Sequence, residues 1–301
     1  MPSADRRPFV DRPVGDLAVA TEAAGLAAHR WDLPEPALLR VGMNAIFTAG
    51  DVVLRAGRPS VPGAAAFDLA ATLSGHGVRV ARPARDDVVV HDGITVTAWE
   101  RLVADPVEMD WREVGRTVAL LHRIDPSALP ATYPCPPCTS FPWWRFDELL
   151  DEVGPLADDR ARAGLAESVD RHRGWDAIDE RRAVVCHGDV HWNNVVMTAD
   201  GPVVIDWDLL CHGPPAWDHA PLITAASRWG CPASWYEEFA AGYGVLMLGD
   251  PVAEAFAELR LVAATLMRLR AGRDDPAAMP EAQRRLAHWR GDPDAPMWTA
   301  V

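Results

Sequence analysis

The chain has 301 residues, about half of them apolar, enough to bury a sizeable core in one or two domains. All 29 basic side chains are arginine, which excludes a G-K-[ST] phosphate loop and any lysine Schiff-base chemistry. The net charge of −14 is uneven: residues 1–100 carry −2 and residues 101–301 carry −12, a balance that would repel nucleic acid and attract cationic small molecules, or else simply keep the chain in solution.

In chain order, an alanine-rich helix is expected over 16–29, capping a small sheet. Segments 38–47, 52–55, 88–91 and 94–99 read as strands, with one helix, 64–74, among them. His91-Asp92-Gly93 has the chemistry of a hairpin turn. The texture changes near Glu100, and helices are expected over 110–122, 145–153, 159–171, 233–245, 252–270 and 280–289. The last opens on proline, whose missing N–H costs nothing there. The proline-rich stretch 128–142 reads as an irregular surface loop, either a substrate-facing lid or a plain connection. Cys135-Pro136-Pro137-Cys138 within it has zinc-like spacing but neither a second C-x-x-C nor an H-x-x-x-H partner, so it reads as two thiols in a rigid loop. The odd count of five cysteines, the absence of a membrane-length apolar run and the charged amino terminus point to a reduced, cytoplasmic protein with no membrane partner.

The chemistry concentrates in His187-Gly188-Asp189-Val190-His191-Trp192-Asn193-Asn194, followed by Val203-Val204-Ile205-Asp206-Trp207-Asp208. Phosphoryl transfer from a metal-bound nucleotide needs one carboxylate to align the attacking hydroxyl, and an amide oxygen with a second carboxylate to hold the metal. Asp189, Asn194 and Asp206 supply that set. Residues 194–206 read as a β-hairpin. With Ala199-Asp200-Gly201 as a three-residue loop, Asn194 faces Asp206 at about 5 Å between Cβ atoms, close enough to share a cation. A two-residue Asp200-Gly201 loop would pair Asn194 with Trp207 and send Asp206 to the other face. The shared metal favours the longer loop.

These motifs, with Gly213-Pro214-Pro215-Ala216-Trp217-Asp218-His219-Ala220, resemble the aminoglycoside phosphotransferase family, which includes kinases of choline, sugars and homoserine. The Leu121-His122 helix end, the hinge-like Thr97 to Leu102 and the loop Gly42 to Phe47 extend the resemblance along the chain. It implies an α+β, protein-kinase-like, two-lobed fold: an N-terminal nucleotide-binding lobe with an antiparallel sheet over 1–100, and a larger, mainly helical C-terminal lobe over 101–301. It further implies transfer of the γ-phosphoryl group of ATP or GTP, with Mg²⁺, to a hydroxyl of a small molecule. On this resemblance Asp189 is catalytic and Asn194 and Asp206 hold the metal. Gly42, Met43 and Asn44 form the nucleotide loop, and Glu100 and Leu102 meet adenine through backbone. Arg55 stands where the family has its phosphate-binding lysine, a planar fork in place of a point charge. Asp68 is the one helix carboxylate available to partner it.

His187 resembles the family's structural histidine. Asp208 is a second metal or water ligand or a strand-end carboxylate in solvent, and Asp218 is expected to cap a helix beginning near Ala220. His191, His212 and His219 have no identifiable partner. Most of the 13 tryptophans should be core, a minority stacking on an acceptor. The acceptor expected is a cationic, aminoglycoside-like molecule, or else a sugar, amino sugar or amino alcohol; the protein is a monomer or dimer. A metal phosphoesterase would need a G-N-H-[DE] segment, which is absent. A nucleotide-binding pseudokinase draws on the missing lysine, and the intact Asp189, Asn194 and Asp206 stand against it.

Overall fold

The computed structural model describes residues 7–174 and 183–299; the first six residues of the amino terminus lie outside them. Helix α1 (Leu17–Arg30) starts on Asp16, whose side chain accepts from Ala18 N at 2.8 Å. Its buried face is Ala20, Ala23, Ala24, Ala27 and Ala28, small enough to bring the helix close to a sheet. That sheet contains β1 (Ala37–Val41), β2 (Ala45–Ala49), β3 (Val52–Gly57), β4 (Val89–His91) and β5 (Ile94–Glu100) in the order β1-β2-β3-β5-β4, all pairs antiparallel. Phe47, Leu54, Ile94 and Val96 are buried with the α1 alanines. The stretch expected as one strand, 38–47, is a hairpin, broken where residues 42–44 turn the chain. Asp92 (φ 46°) and Gly93 (φ 73°) make the two-residue turn between His91 and Ile94.

Helix α2 (Ala65–Gly75) meets the opposite side of the sheet, with Phe67 edge-on to Trp99. Its Leu69 and Leu73 share an apolar cluster with Leu121, Ile124, Tyr133, Val185 and Leu210 of the second lobe. The two lobes are therefore joined by buried contacts as well as by the connector after Glu100.

In the larger lobe, α3 (Trp111–Leu121) crosses α8 (Ser234–Tyr243) at two glycines. A Cβ on Gly115 would lie 2.1 Å from Phe239 O, and one on Gly242 would lie 1.8 Å from Arg112 O. Helices α4 (Phe146–Val153), α5 (Asp159–Arg171), α9 (Pro251–Asp274) and α10 (Met279–Trp289) enclose the largest core cluster, around Phe256, Val262 and Leu266. Between these helices lie two short ribbons, β6 (Val184–Cys186) with β9 (Cys211–Gly213) and β7 (Val195–Thr198) with β8 (Gly201–Val204), and the helices α6 (Ala216–Ile223) and α7 (Ala225–Trp229).

The segment 128–142 is not the surface loop expected. Cys138 and Phe141 are buried, and His212 N donates to Pro136 O at 2.9 Å, so the cysteine pair docks against β9. Among the described residues no helix is long and apolar enough to cross a membrane.

Candidate active site

Strand β6 delivers the chain into His187-Gly188-Asp189. Gly188 has φ 91°, and a Cβ there would sit 2.0 Å from Leu209 O, so the turn admits only glycine. Asp218 holds the turn from α6: its carboxylate accepts from His187 N and Gly188 N, both at 2.8 Å, and meets His122 Nε2 at 3.1 Å. Asp218 is thus not the expected helix cap, because α6 begins earlier, at Ala216. Burial opposes charge on both partners, yet their mutual contact wins: it holds Asp218 below the usual carboxylate range and raises His122 to about 9. His187 Nδ1 accepts from Asp189 N (3.2 Å), which assigns the proton to Nε2, 3.0 Å from Ile205 O. Burial lowers its pKa, consistent with a neutral ring.

Asp189 is held from three directions. Arg260 of α9 donates to its Oδ1 at 2.6 Å and to Gly188 O at 2.9 Å, with its guanidinium over the Trp217 ring. The Asn194 amide and His191 Nε2 each lie 3.3 Å from Oδ2. Burial would push the carboxyl up; His191 and Arg260 outweigh it and hold Asp189 well below its ordinary range. The group is ionised at neutral pH, fitted to accept a hydrogen bond from a hydroxyl and to take its proton late. His191 therefore has a partner, as do His212 (Cys135 O, 2.8 Å) and His219 (Tyr236 hydroxyl, 3.1 Å).

Both hairpin registers weighed from the sequence are displaced. Thr198 pairs with Gly201 and Val195 with Val204, leaving Ala199 and Asp200 as the turn. Asn194 then lies opposite Ile205, whose N–H it accepts at 2.9 Å, and strict alternation would aim Asp206 away. The chain departs from alternation at that point: Asp206 adopts φ 67°, ψ 65°, a left-handed conformation that aspartate tolerates better than most residues. Its Oδ1 lies 3.2 Å from Arg55 Nη2 and its Oδ2 4.0 Å from Arg40 Nη2.

Asp208 is buried, which removes the solvent reading. Its Oδ2 accepts from Arg55 and, at 2.9 Å, from Asn44 Nδ2, while its Oδ1 has no partner among the described residues. Burial pushes Asp208 up to about 6 against the pull of Arg55. Arg55 loses by burial and gains more from Asp208 and Asp206, so its guanidinium stays charged. Asp68 is not its partner: that carboxylate accepts from Thr132 at 2.8 Å. Asp206 and Asp208 meet through Arg55, and their hard carboxylate oxygens suit an ion such as Mg²⁺, while the Asn194 amide lies at Asp189. A second cluster, His122, Cys186 and Asp218, brings ligand atoms within 4.8 Å, but there Asp218 is occupied by N–H donors.

Of the expected nucleotide contacts, Gly42 N donates to Asn44 O at 2.9 Å, Met43 is exposed, and Asn44 is buried against Asp208. Glu100 N is taken by Arg82 O (2.8 Å). Glu100 and Leu102 line a cavity of about 780 Å³ with Arg79, Arg82, Asp105 and Asp200, which Arg55, Asp189, Asn194 and Asp206 do not line. Trp111, Trp144 and Trp217 are core, whereas Trp192 packs edge-on to Trp229 beside the catalytic loop. Sequence reasoning missed Arg260 and the Asn44–Asp208 link; neither leaves a local signal, since each partner lies 71 residues or more away.

A family model described as "Phosphotransferase enzyme family" matches residues 47–262. No curated protein matches the chain. Among solved structures, the spectinomycin phosphotransferase APH(9)-Ia with ADP and spectinomycin is 13% identical with a TM-score of 0.65, over 85% of this chain and 89% of that one. The GDP complex of aminoglycoside 2'-phosphotransferase-IIIa is 16% identical with a TM-score of 0.68, over 91% and 99%. A choline/ethanolamine kinase family protein from Mesorhizobium loti is 18% identical with a TM-score of 0.60, over 92% and 94%.

Proposed function

We infer the function from the premise that this chain belongs to the phosphotransferase enzyme family. We propose that it moves the γ-phosphoryl group of ATP or GTP to a hydroxyl of a small molecule, with residues 1–100 as the nucleotide-binding lobe and 101–301 as the catalytic lobe. One observation carries the reading: an ionised Asp189 on a fixed loop, its carboxylate 3.3 Å from the Asn194 amide, with Arg55 and Asp206 paired at 3.2 Å.

Asp189 aligns the acceptor O–H. The oxygen attacks the γ-phosphorus, a new O–P bond forms as the bond to the β-phosphate oxygen breaks, and the hydroxyl proton passes to Asp189. Asn194 and Asp206 would hold Mg²⁺, which when bound would offset the negative charge of the phosphate groups. Arg55 adds a fixed positive charge at the same place. Support for a cationic, aminoglycoside-like acceptor comes from the −12 balance of residues 101–301 and from the spectinomycin bound by a structural neighbour. The choline/ethanolamine kinase neighbour supports an amino alcohol as the second reading.

The test is to incubate the protein with ATP or GTP and a panel of aminoglycosides, amino sugars and amino alcohols, following acceptor-dependent diphosphate release and product mass. Asp189→Asn should lower kcat about 10²–10⁴-fold with an unchanged far-ultraviolet dichroism spectrum. Full turnover in that variant removes Asp189 from the mechanism. Nucleotide binding with no transfer to any acceptor would favour the pseudokinase reading.

A further inference from the structure

Strand β1 carries a bulge. Leu38 pairs with Phe47 but Arg40 pairs with Ile46, so Leu39 is one residue too many for the ladder. In an unbroken ladder Arg40 would oppose Ala45 and share the face buried under α1. The bulge moves it to the other face, in one row with Ile46 and, through the next pairing, Arg55. The two arginines thus stand on the same side of the sheet, and both reach Asp206.

Their commitments differ. Arg55 is largely buried, and one of its nitrogens is shared between Asp206 and Asp208. Arg40 is half exposed, and its only ion pair among the described residues is the loose 4.0 Å approach to Asp206. A nucleoside triphosphate placed here would add its own negative charge beside Asp189, Asp206 and Asp208. Arg55 is already neutralised by two of those carboxylates, so the small lobe needs a cation with unspent donors.

We propose that Arg40 is a second phosphate-binding cation of the nucleotide site, brought onto the sheet face of Arg55 by the bulge at Leu39. This rests on the phosphotransferase reading above. Arg40 positions the terminal phosphates and takes no part in bond making. The planar guanidinium can grip two phosphate oxygens at once.

Calorimetric titration of AMP, ADP and ATP into the full chain, with and without Mg²⁺, tests it. Arg40→Gln should weaken ATP binding about tenfold, ADP binding less, and AMP binding under about twofold. Arg40→Lys should recover part of the loss. In turnover, KM for the nucleotide should rise more than kcat falls. Arg30→Gln, which removes the same charge from the end of α1, should leave all three affinities unchanged. Equal affinities in Arg40→Gln and wild type, or an equal loss for AMP and ATP, would overturn the assignment while leaving the phosphotransferase reading intact. A wild-type chain that binds no nucleotide would overturn both.

Discussion

The loop that carries Asp189 and the loop at residues 42–44, proposed above as the catalytic loop and the nucleotide loop, are held by different means. The catalytic loop is fastened from distant parts of the larger lobe: Asp218 takes two of its backbone N–H groups, Arg260 takes Gly188 O and Asp189, and His187 reaches Ile205 O. The nucleotide loop follows a strand whose five residues are all exposed, and it is tied to the larger lobe by the hydrogen bond from Asn44 to Asp208. Bond making demands a fixed geometry, whereas admitting a nucleotide demands a part that yields. The contrast assigns rigidity to the large lobe and adjustability to the edge of the small one.

The sharpest way to break that contrast is at Asp218. Asp218→Asn removes one member of a buried pair and leaves His122 without its counter-charge, which should cost about 3–5 kcal/mol in urea unfolding. A loss under about 1 kcal/mol would show that the loop is held by something else. A smaller effect follows from pH. His122 faces Asp218 of α6, Tyr243 of α8 and Cys186 of β6; burial pushes Tyr243 up to about 12 and the Cys186 thiol well above its ordinary value, and holds His219 near 4, so none of these changes charge near 9. The folded pKa of His122 is raised from 6.5 to about 9, so its contribution is complete below about pH 6.5 and lost as pH rises through 9. Stability should fall by about 3 kcal/mol across that window. In Asp218→Asn the alkaline decline should vanish; if it persists, another group causes it.

What the sequence made legible was local. The offset from Asp189 to Asn194 and the His91-Asp92-Gly93 turn are each written within a few residues, and the structure places each as a continuous piece of chain. The hairpin between Asn194 and Asp206 was legible as an element but not in register. Alternation arithmetic moves every side chain when the turn shifts by one residue, and the left-handed turn at Asp206 cannot be read from a β-branched run. Arg260 is one of several arginines on α9, and nothing in that helix marks it as the neighbour of Asp189. Asp218 resembles an N-cap by composition; its burial against the backbone of His187 and Gly188 is a tertiary fact. Arg55 was placed by analogy with a lysine, yet its partners come from the larger lobe in place of Asp68.

The smallest expected effect is the most informative about the nucleotide loop. Asn44 Nδ2 donates to Asp208 Oδ2 at 2.9 Å, in a space kept open because Gly57 has no side chain: a Cβ there would lie 2.1 Å from Asn44 Oδ1. Asn44→Ala removes this donor, but Arg55 still binds the same carboxylate oxygen, so no charge is stranded. The cost should therefore be that of one hydrogen bond, about 1 kcal/mol in urea unfolding, with KM for the nucleotide rising more than kcat falls. The loop would then be an adjustable edge, tethered for binding and not for folding. A stability loss as large as that of Asp218→Asn would instead make Asn44 part of the rigid frame, and the division of labour between the two loops would not hold.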